Sequence, residues 1–147
     1  MNREDAIKLI QLTSRYDHSV LVSKIMVILA EHHHEDIQDW ELVGLLHDLD
    51  YDETAGNREM HGILAAKSLD GLVNTSVLNA IRSHDHRTGD DPTTLLDHSL
   101  KFSDAVSIII EESEDVLADR PWLNKIIESY ELQEGLSVEE IIKQVTC

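Results

Sequence analysis

The stretch that decides the fold is Val43-Gly-Leu-Leu-His-Asp-Leu-Asp-Tyr-Asp52. It sets a His-Asp pair, His47 and Asp48, among three leucines, so the segment is predicted to be buried. Neighbours on a helix point about 100° apart, so both side chains can reach one ligand only where the pair straddles the edge of the core. The alternative is a solvated helix end before a turn. The rest of the chain must decide between these two interpretations.

The hydrophobic pattern on both sides of this stretch is helical. Helices are predicted at residues 3–14, 17–33, 37–49, 59–70, 75–86, 93–117, 121–131 and 137–146. No window alternates apolar and polar residues with a period of two, so no sheet is expected. The chain shows no repeat, linker or low-complexity tract. An all-α, single-domain helical bundle over residues 1–147 is therefore expected, with the C-terminal helices at 121–146.

The composition limits which binding partners and which cellular compartment are expected. The 147 residues carry a formal net charge of −17, which repels phosphate backbones and argues against a nucleic-acid polymer as partner. The one cysteine, Cys147, allows neither an internal disulfide nor a cysteine-based zinc site. The acidic N-terminus does not resemble a signal peptide, and the apolar stretches are too short to cross a bilayer. We expect a cytoplasmic protein with no membrane partner.

Asp104 interrupts an apolar stripe. Leu96, Leu100, Asp104 and Ile108 are four residues apart and share one helix face. Burying an ionised carboxylate there costs several kcal/mol unless it is paired or bound to a cation. The simpler interpretation is a buried aspartate that bonds to a helix cap or an arginine.

Three histidines repeat this pattern. His18, His61 and His84 each extend the apolar face of a predicted helix. A lone histidine on such a face is ordinarily a core residue with satisfied hydrogen bonds. Several imidazoles and carboxylates on inward faces of separate helices are better explained by a shared cation. The candidate metal ligands are His18, His47, Asp48, His61, His84 and Asp104.

These residues resemble the HD-domain superfamily of metal-dependent phosphohydrolases, in particular its small stand-alone members. The resemblance covers about residues 15–112. The matching elements are His18 in Tyr-Asp-His-Ser-Val, the His47-Asp48 segment, His61-Gly62, Ile-Arg-Ser-His at 81–84, and Asp104 in Phe-Ser-Asp-Ala-Val. The ordered set carries the resemblance, since a bare His-Asp dipeptide is common.

The resemblance implies one or two divalent metal ions. One metal would be held by the early histidine, the His-Asp pair and the distant aspartate, namely His18, His47, Asp48 and Asp104. A second would lie near Asp48, His61 and His84, unless the extra histidines bind substrate phosphate instead. Nitrogen and carboxylate ligands suit Mn, Fe, Co, Ni or Zn.

The resemblance also implies hydrolysis of a small phosphorylated metabolite or nucleotide by a metal-activated water. Asp48 would hold the attacking hydroxide. Asp52 could shuttle a proton, or it could simply cap its loop. The candidate phosphate-binding residues are Arg58, Arg82, Arg87 and Lys101, each of which can equally be a plain surface charge.

Two other functions use the same ligands. A di-iron oxygenase of the HD type needs the same histidines and aspartates. A regulatory module could keep a structural metal without turnover. The apolar C-terminal helices can pack on the domain or on a second copy, so a homodimer is left open.

Overall fold

The computed structural model describes residues 1–113 and 115–146, and this part contains helices and no strand. The predicted all-α class is confirmed. Its α-helices are α1 (Arg3–Ile10), α2 (Tyr16–His33), α3 (Ile37–Leu46), α4 (Ile63–Ser68), α5 (Thr75–Ser83), α6 (Leu95–Glu112), α7 (Val116–Asp119), α8 (Pro121–Glu134) and α9 (Val138–Thr146). Short 3₁₀ turns lie at Arg58–Met60 and His86–Thr88. Cys147 lies outside the described residues.

The core lies between α2, α3, α5 and α6. Helix α2 packs on α3 and α6, and α5 packs on α3, α4 and α6. Met26, Leu46, Ile81 and Phe102 are among the fully buried side chains. Each large apolar side chain contributes about 1.5–3 kcal/mol when buried. No helix within residues 1–113 and 115–146 is both long and apolar enough to cross a bilayer.

Several predicted helix boundaries are wrong. Helix α1 ends at Ile10 rather than at residue 14, α5 ends at Ser83 rather than at 86, and α8 continues to Glu134 rather than ending at 131. Helix α3 ends at Leu46, because the chain turns at the His-Asp pair. The helix predicted at 59–70 is a 3₁₀ turn followed by α4. Between them Gly62 has a φ of 92°, a region that glycine adopts without a steric penalty. The helix predicted at 93–117 ends at Glu112, since Ser113 has a φ of 88°.

Tyr130 fastens α8 to the core. Its ring stacks on Phe102 of α6 with 4.2 Å between centroids. Its hydroxyl lies 2.6 Å from Ser99 Oγ and 3.0 Å from His33 Nε2. The aromatic contact and the buried hydrogen bonds hold α8 against both α2 and α6.

Gly44 sets the distance between α3 and α2. A Cβ atom added there would lie 2.5 Å from Ser23 Cα and 2.7 Å from Ser23 N, both backbone atoms of α2. The two backbones can therefore approach this closely only because residue 44 has no side chain. Gly44 is also one turn before His47, so this contact fixes where the His-Asp pair lies.

Replacing Gly44 by alanine is expected to lower the free energy of unfolding by about 1–3 kcal/mol, because the added methyl would force α2 and α3 apart. Helix propensity alone predicts the opposite sign, a gain of up to about 1 kcal/mol. Urea unfolding measures the change. Gly56→Ala is the control, because an added Cβ meets no atom within 4 Å there. An unchanged or higher midpoint for Gly44→Ala would contradict the close approach.

Candidate metal centre

The structure brings all six predicted ligands together, although three of them lie off the helix faces. His18 is in the first turn of α2, and Asp104 is in the middle of α6. His47 and His84 directly follow the last residues of α3 and α5, and His61 follows the first 3₁₀ turn. The prediction that each ligand projects from an inward helix face is wrong for these three histidines. At the ends of α3 and α5 the rings of His47 and His84 reach back to the carbonyls of Gly44 and Ile81.

The first group of ligands surrounds one oxygen of Asp48. His18 Nε2 lies 2.8 Å from Asp104 Oδ1 and 3.4 Å from Asp48 Oδ2. His47 Nε2 lies 3.4 Å from the same Asp48 oxygen and 3.6 Å from Asp104 Oδ1. Two imidazole nitrogens and two carboxylate oxygens therefore face a common point, a donor set that divalent transition metals accept.

The second group surrounds the other oxygen of Asp48. His61 Nε2 lies 2.9 Å from Asp48 Oδ1, and His84 Nε2 lies 3.5 Å from it. The two Nε2 atoms are 3.1 Å apart. Asp48 thus presents one oxygen to each group, which is the position of a bridging carboxylate.

The Nδ1 atom of each clustered histidine is already engaged by an oxygen. These contacts are His18 with Glu111 Oε1 at 2.8 Å, His47 with Gly44 O at 2.7 Å, His61 with Asp50 Oδ1 at 2.7 Å, and His84 with Ile81 O at 2.6 Å. An Nδ1–H that donates to an oxygen leaves a neutral imidazole with its lone pair on Nε2. All four Nε2 lone pairs then point at the cluster, as metal-binding histidines require.

The donor atoms lack another partner that would explain them. Within the described residues, Nε2 of His18 and Nε2 of His47 are buried and make no hydrogen bond while the imidazoles are neutral, because the carboxylate oxygens that face them are also acceptors. The facing lone pairs of His61 and His84 repel unless a proton or a metal ion lies between them. An unmade hydrogen bond on a buried polar atom costs about 1–3 kcal/mol. The residues present therefore fit a bound divalent cation.

When no metal is bound, protons on the histidine nitrogens take the place of the cation. Burial lowers the pKa of His18, but hydrogen bonds with Asp104 and Glu111 outweigh it and raise this pKa to about 9. Burial is likewise outweighed at His61, where Asp48 and Asp50 raise the pKa to about 9. Metal and protons must therefore compete for the same nitrogens.

The pKa values of the two clustered carboxylates shift downward, opposite to those of the histidines. Burial alone would raise the pKa of Asp48, but the charge of His47 and hydrogen bonds with His61 and His84 hold it well below its usual range. The pKa of Asp104 is lowered in the same way by His18 and His47, against the effect of burial. Both carboxylates are therefore ionised and able to bind a cation.

Asp50 and Glu111 support the cluster, and sequence reasoning missed both. Asp50 is fully buried and accepts hydrogen bonds from His61 Nδ1 and from the backbone amides of Gly62 and Ala65. It thereby fixes one ligand and the start of α4. Glu111 lies seven residues after Asp104, two helical turns along the same face, so its spacing did carry a signal.

The cluster opens into a cavity of about 970 Å³. Asp104 is at this opening, and its side chain is 29% exposed, so the predicted burial of this carboxylate is only partial. Although the chain is strongly acidic, five of its twelve basic residues line the cavity. They are Arg15, Arg87, Lys101, Arg120 and Lys125. The cavity is therefore locally rich in positive charge.

Only two of the four basic residues predicted to bind phosphate line this cavity, Arg87 and Lys101. Arg58 instead stacks over the Tyr51 ring, 3.8 Å from its centroid. Arg82 donates to Asn79 Oδ1 on its own helix. Arg58 and Arg82 do not themselves line the cavity, although Tyr51 does.

Arg15 is the basic residue closest to the ligands, and sequence reasoning overlooked it. Its Nε lies 3.1 Å from Asp48 Oδ2, and its guanidinium lies 4.7 Å from the centre of the Tyr51 ring. It precedes His18 by three residues, close to one turn, so helical spacing would have brought it to the same side.

Asp52 is not brought to the cluster. Its exposed carboxylate accepts hydrogen bonds from the backbone amide and the hydroxyl of Ser14. These bonds hold the pKa of Asp52 below its usual value. They tie the loop after the His-Asp pair to the turn before α2, which is the loop-capping role that the sequence left open beside proton transfer.

Glu111→Ala is expected to weaken metal binding by about 10-fold or more, because His18 would lose the acceptor that orients its ring. The dissociation constant is measured by competition with a chelator. Glu112→Ala is the matched control, since Glu112 is exposed and bonds to Arg120 rather than to a histidine. Equal affinities in the two variants would refute the orienting role of Glu111.

The metal-free protein is expected to lose stability as pH rises from about 6.5 to about 9. A histidine whose folded pKa exceeds its unfolded pKa stabilises the fold fully below the unfolded value, and this contribution disappears as pH passes the folded value. The loss is on the order of 3 kcal/mol for each histidine. Urea unfolding of chelator-treated protein at several pH values measures it.

His61→Gln should reduce this pH dependence, and His34→Asn should leave it unchanged. His34 is exposed and has a φ of 58°, which asparagine tolerates. A flat pH profile for the metal-free wild type would mean that the cluster does not hold protons in this way.

Comparison with known proteins identifies the family. A search of curated proteins and a search of solved structures each gave no match. A family model described as the HD domain matches residues 15–109, more than half of the chain and a span that contains all six clustered ligands. Most members of that family are metal-dependent hydrolases. The resemblance found in the sequence is confirmed, and the chain belongs to the HD-domain family.

Proposed function

We propose that this protein is a metal-dependent phosphohydrolase that cleaves a phosphoester of a small metabolite or nucleotide. One observation carries the proposal: four imidazole nitrogens and a bridging aspartate meet at the edge of a cavity lined by five basic residues. The imidazoles and carboxylates suit a divalent metal, and the basic residues suit a phosphate. The basic lining can attract a phosphorylated substrate to the cavity although the chain as a whole is strongly acidic.

Two metal ions would each be held by one of the groups described above. His18, His47 and Asp104 would hold the first, and His61 and His84 the second, with Asp48 shared between them. A bound divalent ion of Mn, Fe, Co, Ni or Zn lowers the pKa of a water molecule toward neutrality and polarises a phosphoryl oxygen.

Side chains around the cluster can orient the attacking water and bind the phosphate. Asp48, ionised and fixed between the imidazoles, can accept a hydrogen bond from the attacking water and orient it. Arg15, held beside Asp48, can bind the non-bridging phosphate oxygens. Arg87 is held in place by two contacts with Asp85 and faces the same cavity.

The test measures both the phosphatase activity and the bound metal of each protein variant. Protein purified without chelator should contain transition metal and hydrolyse phosphomonoesters such as p-nitrophenyl phosphate or nucleoside monophosphates. Asp48→Ala should lose bound metal and lower kcat on the order of 10³-fold, because both groups lose their shared ligand. Asp70→Ala, an exposed aspartate after α4, should keep both metal and activity.

Asp48→Ala protein that retains metal and full activity would reject the hydrolase proposal. Iron with visible absorbance and no phosphate release from any ester would favour the oxygenase that uses the same ligands. A stoichiometric metal with neither activity would favour a regulatory module.

A further inference from the structure

Three of the five basic residues that line the cavity have their charge matched nearby. The pairs are Arg15 with Asp48, Arg87 with Asp85, and Arg120 with Glu112. Lys101 and Lys125 form no ion pair with any residue in 1–113 or 115–146. These two lysines therefore differ from the three cavity arginines, each of which has a carboxylate partner.

These two lysines lie at the boundary of a second cavity. A neighbouring space of about 370 Å³ is also lined by Lys101 and Lys125, and both cavities share Ile126. The second cavity continues along α8 past Ser129 and Tyr130. Both lysines therefore belong to the part of the large cavity that adjoins the second one, whose lining contains none of the six metal ligands.

The elements that carry the lysines fix their relation to the cluster. Lys101 is three residues before Asp104 on α6, which is a rise of about 4.5 Å along the helix. Lys125 comes from α8, outside the matched family region. Ile108, Trp122 and Ile126 supply apolar side chains to the lining of the same large cavity.

Two ammonium groups at one cavity boundary repel each other, and an anion between them would offset that repulsion. The phosphate at the metal cluster already has Arg15 and Arg87 nearby. The lysines are therefore suited to a second anionic group of the same ligand, with the apolar wall covering the atoms that join the two groups.

We propose that Lys101 and Lys125 form a second anion subsite, which selects substrates that carry two anionic groups joined by an apolar or ring-containing spacer. The proposal rests on the proposed function for the position of the first phosphate. It assigns substrate choice to side chains of α6 and α8 rather than to the metal ligands. A phosphate or a carboxylate could occupy the subsite, because both are anionic acceptors for ammonium.

The experiment compares alkanediol bisphosphates with the matching monophosphates over a series of spacer lengths, on metal-loaded protein. Calorimetry gives the dissociation constants. Fluorescence of Trp122, which lines the cavity and is 52% exposed, reports occupancy near Lys125. At the best spacer length the bisphosphate should bind roughly tenfold more tightly than its monophosphate.

Lys101→Gln and Lys125→Gln should each remove most of this preference. Lys143→Gln on α9, an exposed lysine paired with Glu140, is the control and should keep the preference. Replacing one phosphate of the best bisphosphate by a carboxylate shows which anion the subsite favours.

Equal binding of bisphosphates and monophosphates to the wild type, or no binding of either, would overturn the proposal. A preference that survives in the double variant Lys101→Gln/Lys125→Gln would overturn it as well. Hydrolysis of the monophosphates is measured in parallel. A bisphosphate preference without hydrolysis supports the subsite and rejects the proposed hydrolase, whereas hydrolysis without the preference does the reverse.

Discussion

The carboxylate of Asp48 is the contact on which the rest of this structure depends. It is buried, ionised and surrounded by four imidazoles, with one oxygen turned toward each pair. An isolated buried charge would be too costly to keep, so the helices must bring compensating groups to it. Protons or metal ions supply that compensation, and Arg15 adds a fixed positive charge. The fold can be understood as the scaffold that holds these groups around one side chain.

The scaffold uses backbone as well as side chains for this purpose. The carbonyls of Gly44 and Ile81, each in the last turn of a helix, accept from the rings of His47 and His84 three residues later. The same local arrangement thus orients two ligands without any dedicated side chain. Side chains perform this task for the other two histidines, Asp50 for His61 and Glu111 for His18.

The sequence predicted the helical class and the six clustering residues, because buried imidazoles and carboxylates stand out in an apolar pattern. It did not predict that His47, His61 and His84 lie off the helix faces, because the hydrophobic periodicity of the sequence does not mark where each helix ends. Of the four basic residues that the sequence named as phosphate-binding candidates, Arg58 and Arg82 do not line the cavity, because each contacts a nearby partner instead. Arg120 and Lys125 reach the cavity only through the packing of α8, which no local pattern encodes.

The stacking of Tyr130 on Phe102 has a consequence for the shape of the cavity. That contact joins a segment beyond the matched HD region to the helix that carries Asp104. The clustered histidines and aspartates and the α8 wall of the cavity therefore lie on separate stretches of chain. Substitutions along α8 can alter which molecules the cavity admits while the buried histidines and aspartates keep their positions.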